Sequence, residues 1–298
     1  MPRVLAAADI GSNTAHLLVA DVQAGKVKRL ANVSEWLSLG EVVSREGHLP
    51  TEVVDQLVPT VAAFCMVAEE KRSERLYFFA TEAMRAASNH DEVLRLIERK
   101  TGVAVEVVSP QREAELTLLG VRADCAGESP FVVVELGGGS VQVALCNGPG
   151  LVQDVSLPIG TGALIAQAAL GQPAAESAVE EVRRTVELAV SSLGPTWSTR
   201  RMVLAGGVAR GIWRALHPDG ERTLHVRELD HLAWGSARLS LGQLVGRYRV
   251  KPKRAQTLLP GSVAYGALMR WAGHDWARVS EYGVREGAVL EMAKRNGA

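Results

Sequence analysis

The chain has 298 residues, 47% of them hydrophobic, which is enough for two domains of ordinary size with separate cores. Lys plus Arg and Asp plus Glu balance at 33 each, so the composition lacks the basic excess of a nucleic-acid-binding protein. The three cysteines, Cys65, Cys125 and Cys146, form no CxxC pair, which argues against zinc and disulfides and favours a reducing cytoplasm. No apolar window reaches the roughly 18 uninterrupted residues of a membrane span, so none is expected.

Hydrophobic periodicity and turn residues predict the elements of the first half of the chain. The predicted strands are 4–10, 15–21, 26–33, 76–80 and 103–108. The predicted helices are a long one from Thr51 onwards, 92–100 and 110–123. The segment 37–49 carries two glycines and is predicted to be a loop. The opening strands are typical of the meander of a ribonuclease H-like domain.

The second half begins at 124–130, where Gly, Ser and Pro between a helix and a strand predict a domain boundary. The predicted strands there are 141–146, 151–157, 202–205 and 277–280, and the predicted helices are 173–193, 209–216, 229–239, 241–248, 260–272 and 286–295. Residues 250–254 are predicted to form a basic loop. The predicted domains are 1–124 and 125–285, with a terminal helix at about 286–298 packing back on the first domain.

The stretch 131–143, FVVVELGGGSVQV, suggests a phosphate site. An apolar run ends in Glu135, and Gly137, Gly138, Gly139 and Ser140 follow. Consecutive glycines lose much backbone freedom on folding, so they make sense where a backbone turns tightly and approaches a ligand. The amides of such a turn form a concave site for an anion, most often phosphate. The preceding acid is well placed to hold a divalent cation.

The same order of strand, acid, small polar turn and strand occurs at the N-terminus, with Asp9 followed by Gly11, Ser12, Asn13 and Thr14. This repeat predicts two similar halves that face each other across a cleft, with one phosphate loop from each. For either loop alone a plain β-hairpin is an equally good interpretation. Two loops with the same order favour the phosphate site.

Seven motifs along the chain resemble those of the exopolyphosphatase/guanosine pentaphosphate phosphatase (Ppx/GppA) family. In order they are DIGSNTAHLLV (9–19), ATEAMRAASN (80–89), PQREAELTLLGV (110–121), ELGGGSVQV (135–143), LPIGTGA (157–163), LAGGVAR (204–210) and YGVREGAVL (282–290). The resemblance implies an α/β fold of two ribonuclease H-like domains with an interdomain cleft, as in the actin/sugar-kinase superfamily. The chain resembles the short form, without extra C-terminal helical domains.

The resemblance also implies hydrolysis of a terminal phosphoanhydride with Mg²⁺ or Mn²⁺, and it assigns residues to that reaction. Glu113 aligns with the catalytic glutamate that acts as general base; spacing alone does not separate it from Glu115. Asp9 and Glu135 align with the metal-holding acids. The aligned phosphate-contacting positions are Ser12, Asn13, Thr14, Arg85, Gly137, Gly138, Gly139 and Ser140. For Arg85 a salt bridge to a neighbouring acid such as Glu82 is the alternative interpretation.

Four positions differ from the pattern of the family. Glu135 stands where the family usually has Asp, which keeps the charge and adds a methylene. Gln142 stands in place of Glu, and it is a candidate for positioning the water because an amide orients water without taking its proton. His16 and Ala163 each replace an Arg, so less positive charge is expected around the substrate.

The expected substrate is inorganic polyphosphate, with guanosine pentaphosphate (pppGpp) as the alternative. Lys251, Lys253 and Arg254 are candidates for guiding long polyphosphate, or they belong to a solvated loop. A kinase of the same superfamily and a non-hydrolytic polyphosphate or alarmone sensor are the other functions to weigh. No nucleic-acid or membrane partner is expected, and the resemblance implies a homodimer in the cytoplasm.

Overall fold

The computed structural model describes residues 3–125, 129–148, 150–197 and 199–294. They divide into two compact units: unit 1 comprises residues 1–124 and 282–298, and unit 2 comprises residues 125–281. Residues 126–128 of the predicted boundary and 295–298 of the predicted terminal helix lie outside the described residues.

Unit 1 contains one five-stranded sheet with helices on both faces. Its elements, in chain order, are β1 (Arg3–Ile10), β2 (Thr14–Gln23), β3 (Lys26–Trp36), α1 (Leu39–Glu46), α2 (Thr51–Glu70), β4 (Arg75–Ala80), α3 (Glu82–Ala86), α4 (His90–Thr101), β5 (Val105–Val107) and α5 (Pro110–Asp124). The strand order is β3-β2-β1-β4-β5. The first three strands form an antiparallel meander, and β4 and β5 add to β1 in parallel.

Unit 2 repeats this plan with a six-stranded sheet. Its elements are β6 (Phe131–Leu136), β7 (Val141–Asn147), β8 (Gly150–Leu157), α6 (Thr161–Gln167), α7 (Glu176–Ser191), β9 (Arg201–Ala205), α8 (Gly206–Leu216), β10 (Thr223–His225), α9 (Val226–Arg238), α10 (Leu241–Tyr248), α11 (Pro252–Gln256), α12 (Leu258–Trp271) and β11 (Trp276–Val279). The order is β10-β11-β9-β6-β7-β8. Again three antiparallel strands are extended by parallel ones, β9 and β11, which confirms the predicted pair of ribonuclease H-like domains.

The chain then returns to unit 1, where helix α13 (Val284–Lys294) packs against α5. The two backbones touch, because a Cβ on Gly287 would overlap the Leu116 carbonyl oxygen and a Cβ on Gly120 would overlap the carbonyl oxygen of Gly283. Such close contact is possible only where the side chain is a hydrogen. These glycines therefore fix the position of α13 on the helix that carries Glu113.

Alternation along β1 builds the two cores of unit 1. Ala6, Ala8 and Ile10 face one buried cluster, and Leu5 and Ala7 face the other. Helix α2 is long and apolar enough, by length and composition, to cross a membrane. In this structure one face of the helix, Val54, Leu57, Val61, Phe64 and Ala68, is buried and belongs to the first cluster.

The structure corrects two loop predictions. The segment 37–49 contains α1, whose Leu39 and Val43 share one buried face four residues apart. The basic segment 250–254 runs into α11, which begins at Pro252, a residue suited to the first helical position. By contrast, the local capping box that predicts the start of α10, Ser240 with Gln243, is present.

Candidate functional site

The turn between β1 and β2 in unit 1 is closed by a hydrogen bond from the Gly11 N–H to the Thr14 carbonyl, at 3.1 Å. The residues that lead from β3 into α1 donate hydrogen bonds to the carbonyl groups of this turn. The Gly40 N–H donates to the Ser12 carbonyl at 2.7 Å, and the N–H groups of Leu37 and Ser38 both donate to the Asn13 carbonyl. In a trans peptide the N–H points opposite to the carbonyl. The amides of Asn13 and Thr14 are therefore directed away from α1.

The glycine turn between β6 and β7 in unit 2 has the same closure, since the Gly137 N–H donates to the Ser140 carbonyl at 2.9 Å. Its remaining carbonyls accept from the start of α6. Gly137 accepts from the N–H of Thr161, Gly138 from those of Gly162 and Ala163, and Gly139 from that of Gly160.

Three successive peptides of the glycine turn thus have their carbonyls facing α6 and their N–H groups facing away from it. In the part of the chain that the structure describes, the amides of Gly138, Gly139 and Ser140 donate to no backbone carbonyl. Such a row of aligned donors forms a concave site for an anion. The glycine turn can lie this close to the start of α6 only because residue 160 is a glycine. A Cβ on Gly160 would overlap the backbone of Gly138 and Gly139.

Ser12 occupies a less open position than the sequence suggested. Its side chain is buried, and a Cβ on Gly40 would lie only 2.7 Å from the Ser12 Cβ and 3.2 Å from Oγ. The hydroxyl therefore faces α1, and what this part of the turn presents is chiefly backbone. Asn13 and Thr14 are half-buried.

Asp9 lies beside the first turn and forms an ion pair that the sequence analysis missed. The Arg285 Nη1 donates to Asp9 Oδ1 at 2.6 Å, and the two side chains are only 8% and 13% exposed. The residue next to Arg285, Glu286, accepts from Arg29 at 3.0 Å and from the Gly283 N–H at 3.0 Å. The only signal for this pair was the motif YGVREGAVL, in which we assigned Arg285 no role.

Arg85 and Glu113 meet at the carboxyl ends of β4 and β5. Arg85 Nη1 donates to the Val108 carbonyl at 2.6 Å and to Glu113 Oε2 at 3.3 Å, while Nη2 donates to Glu82 Oε2 at 2.9 Å. The alternative interpretation of Arg85, an ion pair with Glu82, is therefore seen in the structure, and its contact with phosphate stays a prediction. Glu113 remains accessible, with a side chain 23% exposed.

Geometry separates Glu113 from Glu115, which spacing alone could not. Glu115 pairs with Arg112 at 3.4 Å, and Arg112 also forms an ion pair with Glu291 on α13. Glu115 thus belongs to a salt-bridge network between α5 and α13. Glu113 lies in the first turn of α5, where its N–H donates to the Ser109 carbonyl.

In unit 2, Glu135 and Gln142 are direct partners across β6 and β7, as Asp9 and His16 are across β1 and β2. Glu135 is half-buried and Gln142 is buried. Glu135 lies against the start of α8, where a Cβ on Gly206 would be 3.2 Å from its Oε1. Gly206 also has a φ of 86°, a backbone conformation that favours glycine.

Two further side chains surround the start of α8. The hydroxyl of the fully buried Tyr265 donates to the Ala205 carbonyl at 3.2 Å, and burial raises the pKa of Tyr265 so that it stays protonated. Arg254 lies across α8, with Nη2 3.4 Å from where a Cβ of Gly207 would be and Cδ 2.5 Å from that of Gly211. Burial lowers the pKa of Arg254, but an arginine remains cationic at neutral pH.

The acid of each turn, taken by itself, fits a weakly held cation better than a preformed metal cage. Among the described residues, no group of three or more His, Cys, Asp or Glu gathers to hold a metal. Asp9 and Glu135 supply one carboxylate in each unit, and Asp9 Oδ1 already accepts from Arg285. Mg²⁺ typically keeps several waters and binds through one or two carboxylates plus substrate phosphates. The residues present fit that mode of binding.

Comparison with known sequences identifies relatives over nearly the whole chain. The model of the Ppx/GppA phosphatase family matches residues 18–296. An uncharacterised protein of Streptomyces coelicolor is 31% identical over 298 residues, which cover 95% of this chain and 88% of the relative. Exopolyphosphatase 1 of Mycobacterium leprae is 27% identical over 303 residues, which cover 95% of this chain and 87% of the relative.

Solved structures show the same fold. The crystal structure of the Aquifex aeolicus member of the Ppx/GppA protein family covers 100% of both chains with a TM-score of 0.86 and 24% identity. A more distant fold neighbour, an ethanolamine utilization protein from Carboxydothermus hydrogenoformans, covers 97% of this chain and 90% of that chain with a TM-score of 0.50 and 14% identity. The family match over most of its length shows that this chain belongs to the Ppx/GppA phosphatase family.

Proposed function

We propose that this protein is an exopolyphosphatase, which hydrolyses the terminal phosphoanhydride of inorganic polyphosphate and releases orthophosphate. The observation that carries the proposal is the row of backbone N–H groups of Gly138, Gly139 and Ser140. The carbonyl groups of the same three peptides accept hydrogen bonds from the start of α6, so the N–H groups face away from that helix. The name of the Mycobacterium leprae relative supports polyphosphate as the substrate class.

Phosphoryl transfer passes through a loose transition state whose charge spreads over the phosphoryl oxygens. The protein must therefore supply chiefly positioning and charge stabilisation. In this proposal the amides of each turn donate to phosphate oxygens, Arg85 adds positive charge in unit 1, and Arg254 adds it in unit 2. Because these donors are fixed by the fold, they need no reorganisation during the reaction.

Glu113 is the general base in this mechanism. Its carboxylate takes a proton from water as the water oxygen bonds to the terminal phosphorus, and the bond to the bridging oxygen breaks. The shortened polyphosphate leaves with the electron pair of that bond. Arg85, which contacts Glu113 Oε2, orients the carboxylate. Gln142 can orient the water but cannot accept its proton.

Asp9 and Glu135 are the residues that would hold Mg²⁺ or Mn²⁺. A divalent cation supplies charge neutralisation at the phosphate oxygens. The Arg285 guanidinium lowers the net negative charge around Asp9, which favours the approach of a polyanion.

The test is phosphate release from polyphosphates of defined length and from pppGpp, measured side by side with Mg²⁺ and with Mn²⁺. We expect Glu113→Gln to lower kcat by at least about 100-fold, the usual scale for a general base. Glu115→Gln is the matched control, since it removes the same charge from the same helix and should keep nearly full activity. Full activity of Glu113→Gln would overturn the assignment of the base.

The same measurements test the alternatives. Release of phosphate from pppGpp alone would favour a guanosine pentaphosphate phosphohydrolase. The presence of Gln142 in place of an acid favours the sensor as a second candidate, and tight binding of polyphosphate without phosphate release would support it. Formation of ADP from ATP in the presence of a sugar or acetate acceptor would favour a kinase.

A further inference from the structure

Arg85 is the charged member of the phosphate contacts proposed in unit 1, and its guanidinium already binds two carboxylates. Its Nη1 donates to the Val108 carbonyl at 2.6 Å and to Glu113 Oε2 at 3.3 Å, and its Nη2 donates to Glu82 Oε2 at 2.9 Å. A guanidinium binds a phosphate most tightly when two parallel N–H groups of its fork donate together. Glu82 therefore occupies the Nη2 end of the fork, which such a phosphate would need.

The Nη1 end of the fork is fixed by the fold. The carbonyl that accepts from it belongs to Val108, a buried residue whose own N–H donates to the Ala80 carbonyl at 3.0 Å. This hydrogen bond ties the end of β5 to the end of β4, so the acceptor cannot shift without moving the sheet. The Arg85 side chain is thus anchored independently of Glu82.

The Nη2 end is held much less firmly. The Glu82 side chain is 41% exposed, and among the described residues Arg85 is its only hydrogen-bond partner. An exposed ion pair is weak, because water screens the attraction and both side chains lose freedom in forming it. The pair of Arg285 and Asp9 is the opposite case, since both of its side chains are nearly buried. Glu82 can therefore leave its arginine at small cost.

The weak pair lies at the same edge of the sheet as the first turn. Ala80, at the end of β4, is the register partner of Ile10, at the end of β1. The Thr81 N–H donates to the Ile10 carbonyl at 3.1 Å, and Gly11 follows directly as the start of the turn. Glu82 is the next residue after Thr81. The chain therefore enters α3 beside the backbone that the proposed function assigns to phosphate.

The balance of charge in this group disfavours an anion. Two carboxylates, Glu82 and Glu113, share one guanidinium, so the three side chains taken by themselves carry one excess negative charge. Like charges repel, and a polyanion gains nothing from an arginine that is already outnumbered. If Glu82 moves away, the remaining pair is neutral and the Nη2 donor is open.

We propose that Glu82 is an internal competitor of the substrate: it occupies the Nη2 end of Arg85 in the free protein and yields that end to a phosphate group of polyphosphate. This inference rests on the proposed function. The carboxylate and the phosphate are then alternative partners of one fork. Glu82 touches no reacting atom and acts by setting the affinity of Arg85 for anions.

The competition applies to the product as well as to the substrate. Orthophosphate is a single unit and makes fewer contacts than the chain from which it is cut, so the return of Glu82 to Arg85 displaces it more readily. Removal of the Glu82 charge should therefore tighten the binding of polyphosphate and of orthophosphate. A structural defect would weaken binding, so a gain in affinity distinguishes the two roles.

The test uses Glu82→Gln, with Glu115→Gln as the matched control. Glu115 also pairs with an arginine three residues away, Arg112, and its side chain is 44% exposed. Binding of inorganic phosphate is measured by phosphorus NMR titration, and the KM for tripolyphosphate by phosphate release. We expect Glu82→Gln to lower both constants by about three- to fivefold, the scale of an exposed ion pair. Glu115→Gln should match the wild type.

A double-mutant cycle shows whether the effect passes through Arg85. In the Arg85→Gln protein the further change Glu82→Gln should give no gain in affinity for inorganic phosphate. An equal gain there, an unchanged or weaker affinity of the single variant, or no binding of phosphate by either protein would overturn the inference. The titration needs no turnover. A wild type that binds phosphate but releases none from polyphosphate would therefore contradict the proposed function alone.

Discussion

The two turns that we propose to bind phosphate have the same backbone hydrogen bonds but expose different groups. The turn of unit 1 has side chains at Ser12 and Asn13, and its acid, Asp9, is neutralised by the buried Arg285. The turn of unit 2 has glycines at the corresponding positions, and its acid, Glu135, lies against the backbone of Gly206. In both turns the carbonyl groups accept hydrogen bonds from the backbone at the start of a helix, α1 in unit 1 and α6 in unit 2. One turn is thus built around an anchored ion pair and the other around bare backbone amides.

This difference predicts where each turn is most sensitive. We expect the largest effect on stability from Arg285→Gln, which leaves the nearly buried Asp9 carboxylate without its cation. Breaking a buried pair on one side costs about 3–5 kcal/mol. Urea unfolding should report this loss, and Arg285→Lys should recover part of it. Unchanged stability of Arg285→Gln would show that the ion pair does not anchor the first turn.

The second turn should instead be most sensitive to added volume. Gly160→Ala places a Cβ into the backbone of Gly138 and Gly139, and overpacking of this kind costs about 1–3 kcal/mol. Because a shift of about 1 Å in a positioning group can cost about 100-fold in rate, phosphate release should fall on that scale. Gly242→Ala is the control, since nothing lies within 4 Å of a Cβ there. Equal activity of the two variants would contradict the role of Gly160.

The counterpart in the first turn should be milder. Gly40→Ala brings a Cβ to 2.7 Å from the Ser12 Cβ, a side-chain atom rather than a carbonyl group. We expect a loss of about 1 kcal/mol and a smaller fall in phosphate release than for Gly160→Ala. Measuring phosphate release by both variants in one assay shows which turn is more sensitive to added volume. A larger effect at Gly40 would reverse the comparison.

Gln142→Glu places a second acid directly opposite Glu135. Like charges directly opposite each other on paired strands are destabilising, and the buried position of residue 142 adds to the cost of the new charge. Added Mg²⁺ should reduce this cost if Glu135 helps to hold the metal. Thermal unfolding with and without MgCl₂ measures the difference, and the wild type provides the baseline. A cost that is the same in both conditions would argue against a metal at Glu135.

Local signals in the sequence were the reliable ones. The turns at Gly11 and Gly137 and the capping box at Ser240 are encoded by residues a few positions apart, so they could be predicted. Helix α1 was missed because its two buried residues, Leu39 and Val43, lie in a segment that two glycines marked as a loop. Its packing against Ser12 depends on Gly40, which only the folded chain reveals.

Distant pairs could not be predicted in the same way. Arg285 and Asp9 are 276 residues apart, and no periodicity relates them. The burial of Arg254 could not be predicted from the sequence either. Its side chain lies where a Cβ on Gly207 or Gly211 would be, and only the folded chain shows this contact. For the same reason sequence spacing left Glu113 and Glu115 equivalent, whereas their different arginine partners distinguish them.

The late return of the chain to unit 1 has a consequence for synthesis. Unit 2 is contiguous in sequence, so a growing polypeptide can complete it while unit 1 still lacks α13. A polypeptide that stops before residue 284 therefore lacks Arg285, the ion-pair partner of Asp9, and lacks the helix that packs against α5. Truncated translation products should be recognisable by proteolysis within the first unit, while the second resists it.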